Sequence, residues 1–154
     1  MSLLPRLTRG SDNLDTPLEA VRHLWPYLPL NCLVWECAPG NGVMVKHLKN
    51  CGFRVIDEKR DFLTVLPFDC DVIMTNPPFS KKAQFIARCM EIGKPWALLL
   101  PVTTLGVRAC QKNLHNAEIV FLPKRIDFTG KKAPWFAVAW FTWGLNIGRQ
   151  MTFL

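Results

Sequence analysis

One stretch of this sequence combines residue types that can hold a planar amino group. Asn76-Pro77-Pro78-Phe79 comes one residue after the apolar run Val72-Ile73-Met74. The Asn76 side-chain oxygen and the Pro77 carbonyl are two acceptors, and Phe79 supplies an aromatic face. An exocyclic amine of adenine or guanine can donate both hydrogens there, which favours a pyramidal, more nucleophilic nitrogen. Without further context, the same residues are also typical of a sharp structural loop.

An acidic residue and two glycines follow a second apolar run. Glu36 follows the apolar run at residues 32–35. The small-residue turn at 37–42, which contains Gly40 and Gly42, comes next. Glycines at such a turn let the backbone approach a ligand closely, and a carboxylate at a strand end can meet an ammonium group. A dinucleotide fingerprint requires a third glycine where this chain has Val45, so a nicotinamide cofactor is disfavoured.

Taken together, these motifs resemble those of S-adenosylmethionine-dependent amino methyltransferases, which act on adenine, guanine or glutamine amides. Asn76-Pro77-Pro78-Phe79 resembles their catalytic motif, and Glu36-x-x-x-Gly40-x-Gly42 resembles their cofactor loop. Trp35 before Glu36 and the aromatic strand near residue 140 are most similar to the small phage-type DNA adenine methyltransferases. The resemblance implies catalytic roles for Asn76, Pro77, Pro78 and Phe79.

The resemblance also implies a set of residues that bind S-adenosylmethionine. The Thr-Pro pair at positions 16 and 17 would lie beside the methionine end of the cofactor. Asp57, about twenty residues beyond Glu36, would accept the ribose hydroxyls, with Glu58 as the alternative. Asp61 would bind the adenine, and Phe62 would pack on its ring. The full implied set is Thr16, Pro17, Glu36, Ala38, Gly40, Gly42, Asp57, Asp61, Phe62 and Asn76.

Basic residues lie where a nucleic-acid substrate would pass. Lys81 and Lys82 follow the catalytic turn and are suited either to phosphates beside a target base or to a solvated helix start. The segment 124–135 is basic with aromatic residues at both ends, which suits an unstacked nucleotide or a solvated hairpin. The predicted substrate-binding residues are Lys81, Lys82, Lys124, Arg125, Lys131, Lys132 and Trp135.

Periodicity and turn signals predict an α/β fold. The resemblance implies a Rossmann-like class I methyltransferase, with a seven-stranded, mostly parallel sheet, an antiparallel edge strand and helices on both faces. Capping and proline signals predict helices at 17–27 and 103–114, a third opening after Gly42 and a fourth ending near Met90. The predicted strands are 32–36, 53–56, 72–74, 96–100, 118–122 and 136–143.

Length and composition predict one methyltransferase domain over residues 1–154, with residues 1–14 as an irregular arm. The net charge of +7 fits a polyanionic partner or incidental solubility charge. Six cysteines without a Cys-x-x-Cys pair disfavour a metal site. With no signal peptide or apolar run of membrane length, we expect a cytoplasmic protein of a bacterial or phage-infected cell.

The sequence therefore predicts methyl transfer from S-adenosylmethionine to the amino group of adenine in nucleic acid, with DNA favoured. The alternatives are an RNA methyltransferase acting on adenine N6 or guanine N2, a protein glutamine methyltransferase, and a catalytically silent nucleic-acid-binding subunit. The predicted partner is nucleic acid and not a membrane. A homodimer through the edge of the last predicted strand, or a separate specificity subunit, is compatible with the sequence.

Overall fold

A computed structural model describes residues 15–128 and 137–153. The helices are α1 (Leu18–Arg22), α2 (Val43–Asn50), α3 (Lys82–Ile92) and α4 (Arg108–Gln111). Short 3-10 turns cover Trp25–Tyr27, Phe79–Lys81 and Val102–Gly106. The strands are β1 (Leu33–Trp35), β2 (Arg54–Ile56), β3 (Val72–Thr75), β4 (Trp96–Pro101), β5 (Glu118–Phe121), β6 (Val138–Trp143) and β7 (Met151–Phe153).

The strands form one seven-stranded sheet in the order β2-β1-β3-β4-β6-β5-β7. Neighbours from β2 to β4 are parallel, β6 is antiparallel to both β4 and β5, and β7 is parallel to β5. The predicted class, an α/β methyltransferase-type sheet that is mostly parallel, is confirmed.

The sequence predicted that the antiparallel strand lies at the edge of the sheet, but β6 lies inside the sheet. β6 pairs with β4 along one side and with β5 along the other, and β7 then pairs with β5. The sequence analysis missed β7 because a three-residue strand carries almost no periodic signal. Since both sides of β6 are paired, it offers no free edge for the dimer considered above.

Strand order reverses between β1 and β3, and this reversal positions the site. The β1–α2–β2 crossover leads to one side of β1, whereas the β3–α3–β4 crossover leads away in the other direction. Because such crossovers are right-handed, α2 and α3 lie on opposite faces of the sheet. A crevice therefore opens above the carboxyl ends of β1 and β3, where open α/β sheets bind ligands.

Aromatic side chains fix the two faces of the sheet. On one face, the Trp35 ring meets Phe62 at 5.3 Å and Phe68 at 5.2 Å, and Phe62 meets Phe85 of α3 at 5.0 Å. Elsewhere, the buried Trp140 of β6 donates its indole N–H to the Ala20 carbonyl of α1 at 2.9 Å. Such pairs add specific geometry to the burial of large apolar area, so α1 and α3 are firmly placed.

Two predicted helices are broken. The one predicted at 17–27 is α1 followed by a 3-10 turn containing Pro26, which cannot continue a helical hydrogen-bond ladder. The one predicted at 103–114 is a 3-10 turn and the four-residue α4, separated by the extended Val107. Between β2 and β3, residues 57–71 form turns without a helix or strand.

The six cysteines form no disulfide, and five of them are buried. Burial raises the pKa of Cys70 to about 11 and also raises that of Cys37 and Cys89, so these thiols pack as small apolar groups. Among residues 15–128 and 137–153, no helix is long and apolar enough to cross a membrane.

Candidate functional site

A cleft of roughly 360 Å³ opens above the carboxyl ends of β1 and β3. Its walls come from the segment before α1, the turn after β1, the start of α2, the segment after β2 and the turn after β3. The lining residues are Asp15, Thr16, Glu36, Ala38, Pro39, Gly40, Asn41, Val43, Met44, Lys59, Arg60, Asn76 and Pro78.

Glu36 is a buried carboxyl group, 2% exposed, at the end of β1. It accepts a 2.9 Å hydrogen bond from the Ala38 N–H, and its own N–H donates to the Ile56 carbonyl. Burial raises the pKa of Glu36 to about 8, and the nearby Thr75 hydroxyl and the Ala38 N–H offset this only in part. Within the described part of the chain, Glu36 has no ion-pair partner. A cationic group entering the cleft would find a carboxyl group here.

Gly40 and Gly42 shape the turn between β1 and α2. Their φ angles are 52° and 79°, in the left-handed region that glycine adopts without strain. The Gly42 N–H closes the turn on the Pro39 carbonyl at 2.7 Å, and the Gly42 carbonyl accepts the Lys46 N–H of α2. The start of α2 therefore faces the cleft, with Val43 in its wall.

Asn76 stands at the end of β3 and is tied to the segment before α1. Its Nδ2 donates to the Thr16 Oγ1 at 3.0 Å, and Thr16 is 4% exposed. Both side chains line the cleft that Glu36 enters. The structure thus brings together residues that the sequence analysis assigned to amine binding and to cofactor binding.

The rest of the turn at residues 76–79 is stiff and mostly covered. Pro77 is buried, Pro78 lines the cleft, and Phe79 is 4% exposed within the core. Lys82 at the start of α3 donates to the Phe79 carbonyl at 3.2 Å. The ring predicted to stack on a base is covered in this structure, so the stacking role of Phe79 stays a prediction.

The segment after β2 differs from the expectation. Asp57 pairs with Lys49 of α2 at 3.2 Å and does not line the cleft, and Glu58 pairs with Arg60 at 3.1 Å. Lys59 and Arg60 line it instead. The side chains that this segment contributes to the cleft are therefore cationic, and the ribose contact of Asp57 stays a prediction.

Asp61 and Phe62 also lie outside the cleft. The Asp61 Oδ1 accepts the Leu63 N–H at 3.0 Å, which caps its own turn. Phe62 is 2% exposed and packs between Trp35 and Phe85. Its side chain completes the aromatic layer between β1 and α3, and its contact with a cofactor ring stays a prediction.

Half of the implied cofactor-binding residues line the cleft: Thr16, Glu36, Ala38, Gly40 and Asn76. Pro17, Gly42, Asp57, Asp61 and Phe62 do not. Pro17 and Gly42 instead set the backbone next to residues that do. The sequence analysis missed Asp15, Asn41, Lys59 and Arg60. Of these, only Lys59 and Arg60 carry a sequence signal, as a basic pair just beyond a strand end.

The predicted substrate-binding residues that the structure describes do not line the cleft. Lys81 and Arg125 are exposed, and Lys124 forms a 3.0 Å ion pair with Glu19 of α1. Lys82 donates to the Phe79 carbonyl, as described above. Lys131, Lys132 and Trp135 lie outside the described residues.

Several solved structures are similar to this chain. One is assigned as the modification subunit of a type I restriction enzyme from Vibrio vulnificus, with a TM-score of 0.56 and 19% identity over 88% of this chain. Another is assigned as an RNA methyltransferase from Pyrococcus horikoshii, with a TM-score of 0.53 and 11% identity over 92% of this chain. A third is a dimethyladenosine transferase from Plasmodium falciparum, with a TM-score of 0.55 and 14% identity over 84% of this chain.

These likenesses show the fold, a Rossmann-like α/β domain with a seven-stranded mixed sheet, which this chain shares with those proteins. The chain spans 45% of the Vibrio protein, 90% of the Pyrococcus protein and 62% of the Plasmodium protein. No protein-family model matches the sequence, and no curated protein matches it. What the chain acts on must therefore be argued from its own cleft.

Proposed function

We propose that this chain transfers a methyl group from S-adenosylmethionine to the exocyclic amino group of adenine in nucleic acid, with DNA as the favoured substrate. The observation that carries the proposal is the position of Asn76. It stands on a proline-stiffened turn at the end of β3 and lines the same cleft as Glu36 and Gly40. An amide suited to an amine and a loop suited to a cofactor thus share one cavity.

The cleft residues fit S-adenosylmethionine. Glu36 is a buried carboxyl group without a cation among the described residues, and the ammonium of the cofactor would supply one. The start of α2 faces the cleft, and a helix N-terminus favours a carboxylate such as that of the methionine part. The volume of about 360 Å³ lies within the range of small-molecule sites.

The chain's part in the reaction is alignment. S-adenosylmethionine supplies an electrophilic methyl group on its sulfonium. The Asn76 Oδ1 and the Pro77 carbonyl would accept the two hydrogens of the target amine, which turns the nitrogen lone pair out of the ring plane. Holding both reactants in one orientation is a large source of rate enhancement for such a transfer. The two prolines help because they limit movement of the backbone that carries the acceptors.

RNA is the second candidate substrate. Two of the similar structures are an RNA methyltransferase and a dimethyladenosine transferase. DNA is favoured by the resemblance of Trp35 before Glu36 and of the aromatic strand β6 to the small phage-type DNA enzymes, and by the modification subunit among the similar structures. If the target lies in a duplex, its base must leave the stack to reach the Asn76 turn.

The test is incubation with tritiated S-adenosylmethionine and four polymers: duplex DNA, single-stranded DNA, tRNA and rRNA. Each is digested afterwards to identify the labelled nucleoside. Label in methyladenosine from DNA supports the proposal, and label only from RNA moves the function to the second candidate. The Asn76→Ala variant should lose the label, whereas Asn50→Ala on the exposed end of α2 should keep it.

Absence of label with every polymer would contradict the proposal. Cofactor binding, measured separately by calorimetry, then separates two explanations. A chain that binds S-adenosylmethionine without modifying nucleic acid would be a protein methyltransferase or a silent subunit. A chain that does not bind it would leave only the fold in common with methyltransferases.

A further inference from the structure

The Thr16 hydroxyl does not do what its sequence context predicts. A threonine before a proline at a helix start is expected to cap the helix with its side chain. Here α1 begins at Leu18, its cap residue is Pro17, and no side-chain hydrogen bond caps the helix. The Pro17 carbonyl accepts the Ala20 N–H at 3.0 Å and the Val21 N–H at 3.4 Å, and the second of these is the ordinary first hydrogen bond of a helix.

That hydroxyl contacts the catalytic turn instead. Thr16 Oγ1 accepts the Nδ2–H of Asn76 at 3.0 Å, across 60 positions of sequence. Thr16 is 4% exposed, so water competes little for this hydrogen bond. A long-range bond between two side chains that line one cleft is uncommon, because most side-chain hydrogen bonds go to the backbone or to water.

The element that carries Thr16 is well anchored. Ala20 and Val21 of α1 are fully buried, and the Ala20 carbonyl accepts the Trp140 indole N–H at 2.9 Å. α1 is thereby fixed on β6, in the middle of the sheet. Thr16, two residues before α1, is consequently a rigid reference point for the Asn76 side chain.

The geometry has a direct consequence for the Asn76 amide. A carboxamide has a donor end and an acceptor end in one plane, and rotation about its last side-chain bond is broad unless a partner fixes it. Bonding Nδ2 to Thr16 sets that rotation, so the Oδ1 points away from Thr16. The prolines fix only the backbone of the turn, whereas this bond restrains the side chain.

We infer that Thr16 is a positioning residue, which holds the Asn76 carboxamide so that its oxygen, not its NH₂ group, faces the target amine. The inference rests on the proposed methyl transfer for its catalytic meaning. It goes further in assigning to the segment before α1 a role in the amine site, besides any contact with the cofactor.

The test compares Thr16→Val, which keeps the shape and removes the hydroxyl, with Thr16→Ser, which keeps the hydroxyl. We expect Thr16→Val to lower kcat about fivefold to tenfold, the loss typical of one hydrogen bond, and Thr16→Ser to restore most of it. The KM for nucleic acid should stay within about twofold, because uniform binding is unchanged. Equal kcat values in the two variants would overturn the inference.

A double-mutant cycle separates positioning from a direct role. If Thr16 acts through Asn76, then adding Thr16→Val to Asn76→Ala should cost no further activity. A second loss as large as the first would overturn the inference, because Thr16 would then act on the cofactor or substrate itself.

A third readout needs no activity at all. In ¹⁵N-labelled protein, the Asn76 side-chain amide signal is assigned by its absence in Asn76→Asp. We expect Thr16→Val to shift this signal and Thr16→Ser to leave it near its original position. An unchanged signal in Thr16→Val would overturn the inference. If the wild-type protein methylated no polymer, the proposed function would fail, and this spectrum would still show whether Thr16 orients Asn76.

Discussion

The two ends of the cleft are built in opposite ways. The inner end is formed by Thr16, Glu36 and Asn76, which are buried or partly buried. Hydrogen bonds hold these side chains, Glu36 and Asn76 at strand ends and Thr16 before α1. At the outer end, Lys59 and Arg60 are exposed on the irregular segment after β2. The inner end can impose an orientation on a ligand, whereas the outer end contributes mainly charge.

The comparison shows which side chains are positioned by the sheet and which are not. Residues at the end of a buried strand inherit their position from the sheet, so their side chains enter the cleft reproducibly. Residues 57–71 lack a strand, and their side chains find whichever partners lie near, such as Lys49 for Asp57 and Leu63 for Asp61. We therefore expect substitutions at the inner end to have larger effects.

The largest effect is expected for Glu36→Gln on stability. The folded state keeps Glu36 protonated up to about pH 8, whereas the unfolded chain releases that proton near its ordinary pKa of 4.5. Wild-type stability contributed by this group therefore falls as pH rises between these values and levels off above pH 8. The change corresponds to about 5 kcal/mol at roughly 1.4 kcal/mol per pKa unit.

Urea unfolding of both proteins from pH 4 to 9 measures this. The free energy of unfolding of Glu36→Gln minus that of the wild type should grow with pH and reach a plateau above pH 8, since Gln carries no charge to bury. The same variant should bind S-adenosylmethionine more weakly. A difference that is constant across pH would show that Glu36 is not a buried titrating group.

Asn76→Ala should have the next largest effect, on catalysis. It removes an acceptor that acts on the reacting amine, so we expect kcat to fall at least tenfold, which is roughly 1.4 kcal/mol. Cofactor affinity measured by calorimetry should stay nearly unchanged. If affinity and kcat fell together, the inner end would serve the cofactor alone.

A smaller effect is expected from replacing both Lys59 and Arg60 with Ala at the outer end. If these cations meet phosphates, the slope of log affinity for duplex DNA against log salt should become shallower by up to about two. The matched control replaces Arg108 of α4 and Lys112 just after it, both exposed, also with Ala. Equal slopes for the two double variants would leave the outer end without a specific role in binding nucleic acid.

The smallest effect is expected for Asp57→Asn. Asp57 pairs with Lys49 at the surface and is 44% exposed, so removing its charge should change the cofactor Kd by less than about twofold. Asp69→Asn, which breaks the exposed pair with Lys94, is the control. A tenfold weaker Kd in Asp57→Asn alone would restore the ribose contact that the family resemblance implies.

Residues at the inner end of the cleft were also easier to predict from sequence than those on the segment after β2. Glu36, Gly40 and Asn76 line one cleft. Their positions near strand ends could be predicted from sequence, because an apolar run that forms a strand precedes each of them. Phe62 was assigned to a ligand, although the same apolar character serves the core. Sequence alone does not say whether an apolar turn residue such as Phe62 packs against a ligand or in the core.

The sequence by itself determined the local parts of this protein: the apolar strands, the glycine turn that needs left-handed φ angles, and the stiff Asn-Pro-Pro turn. These depend on backbone sterics and hydrophobic pattern, which act over a few residues. Only the tertiary structure decided that the Thr16 hydroxyl meets Asn76 instead of capping α1, that cations occupy the outer end, and that β7 extends the sheet beyond β5. Contacts between residues far apart in the chain are set by the packing of whole elements, and no local pattern encodes them.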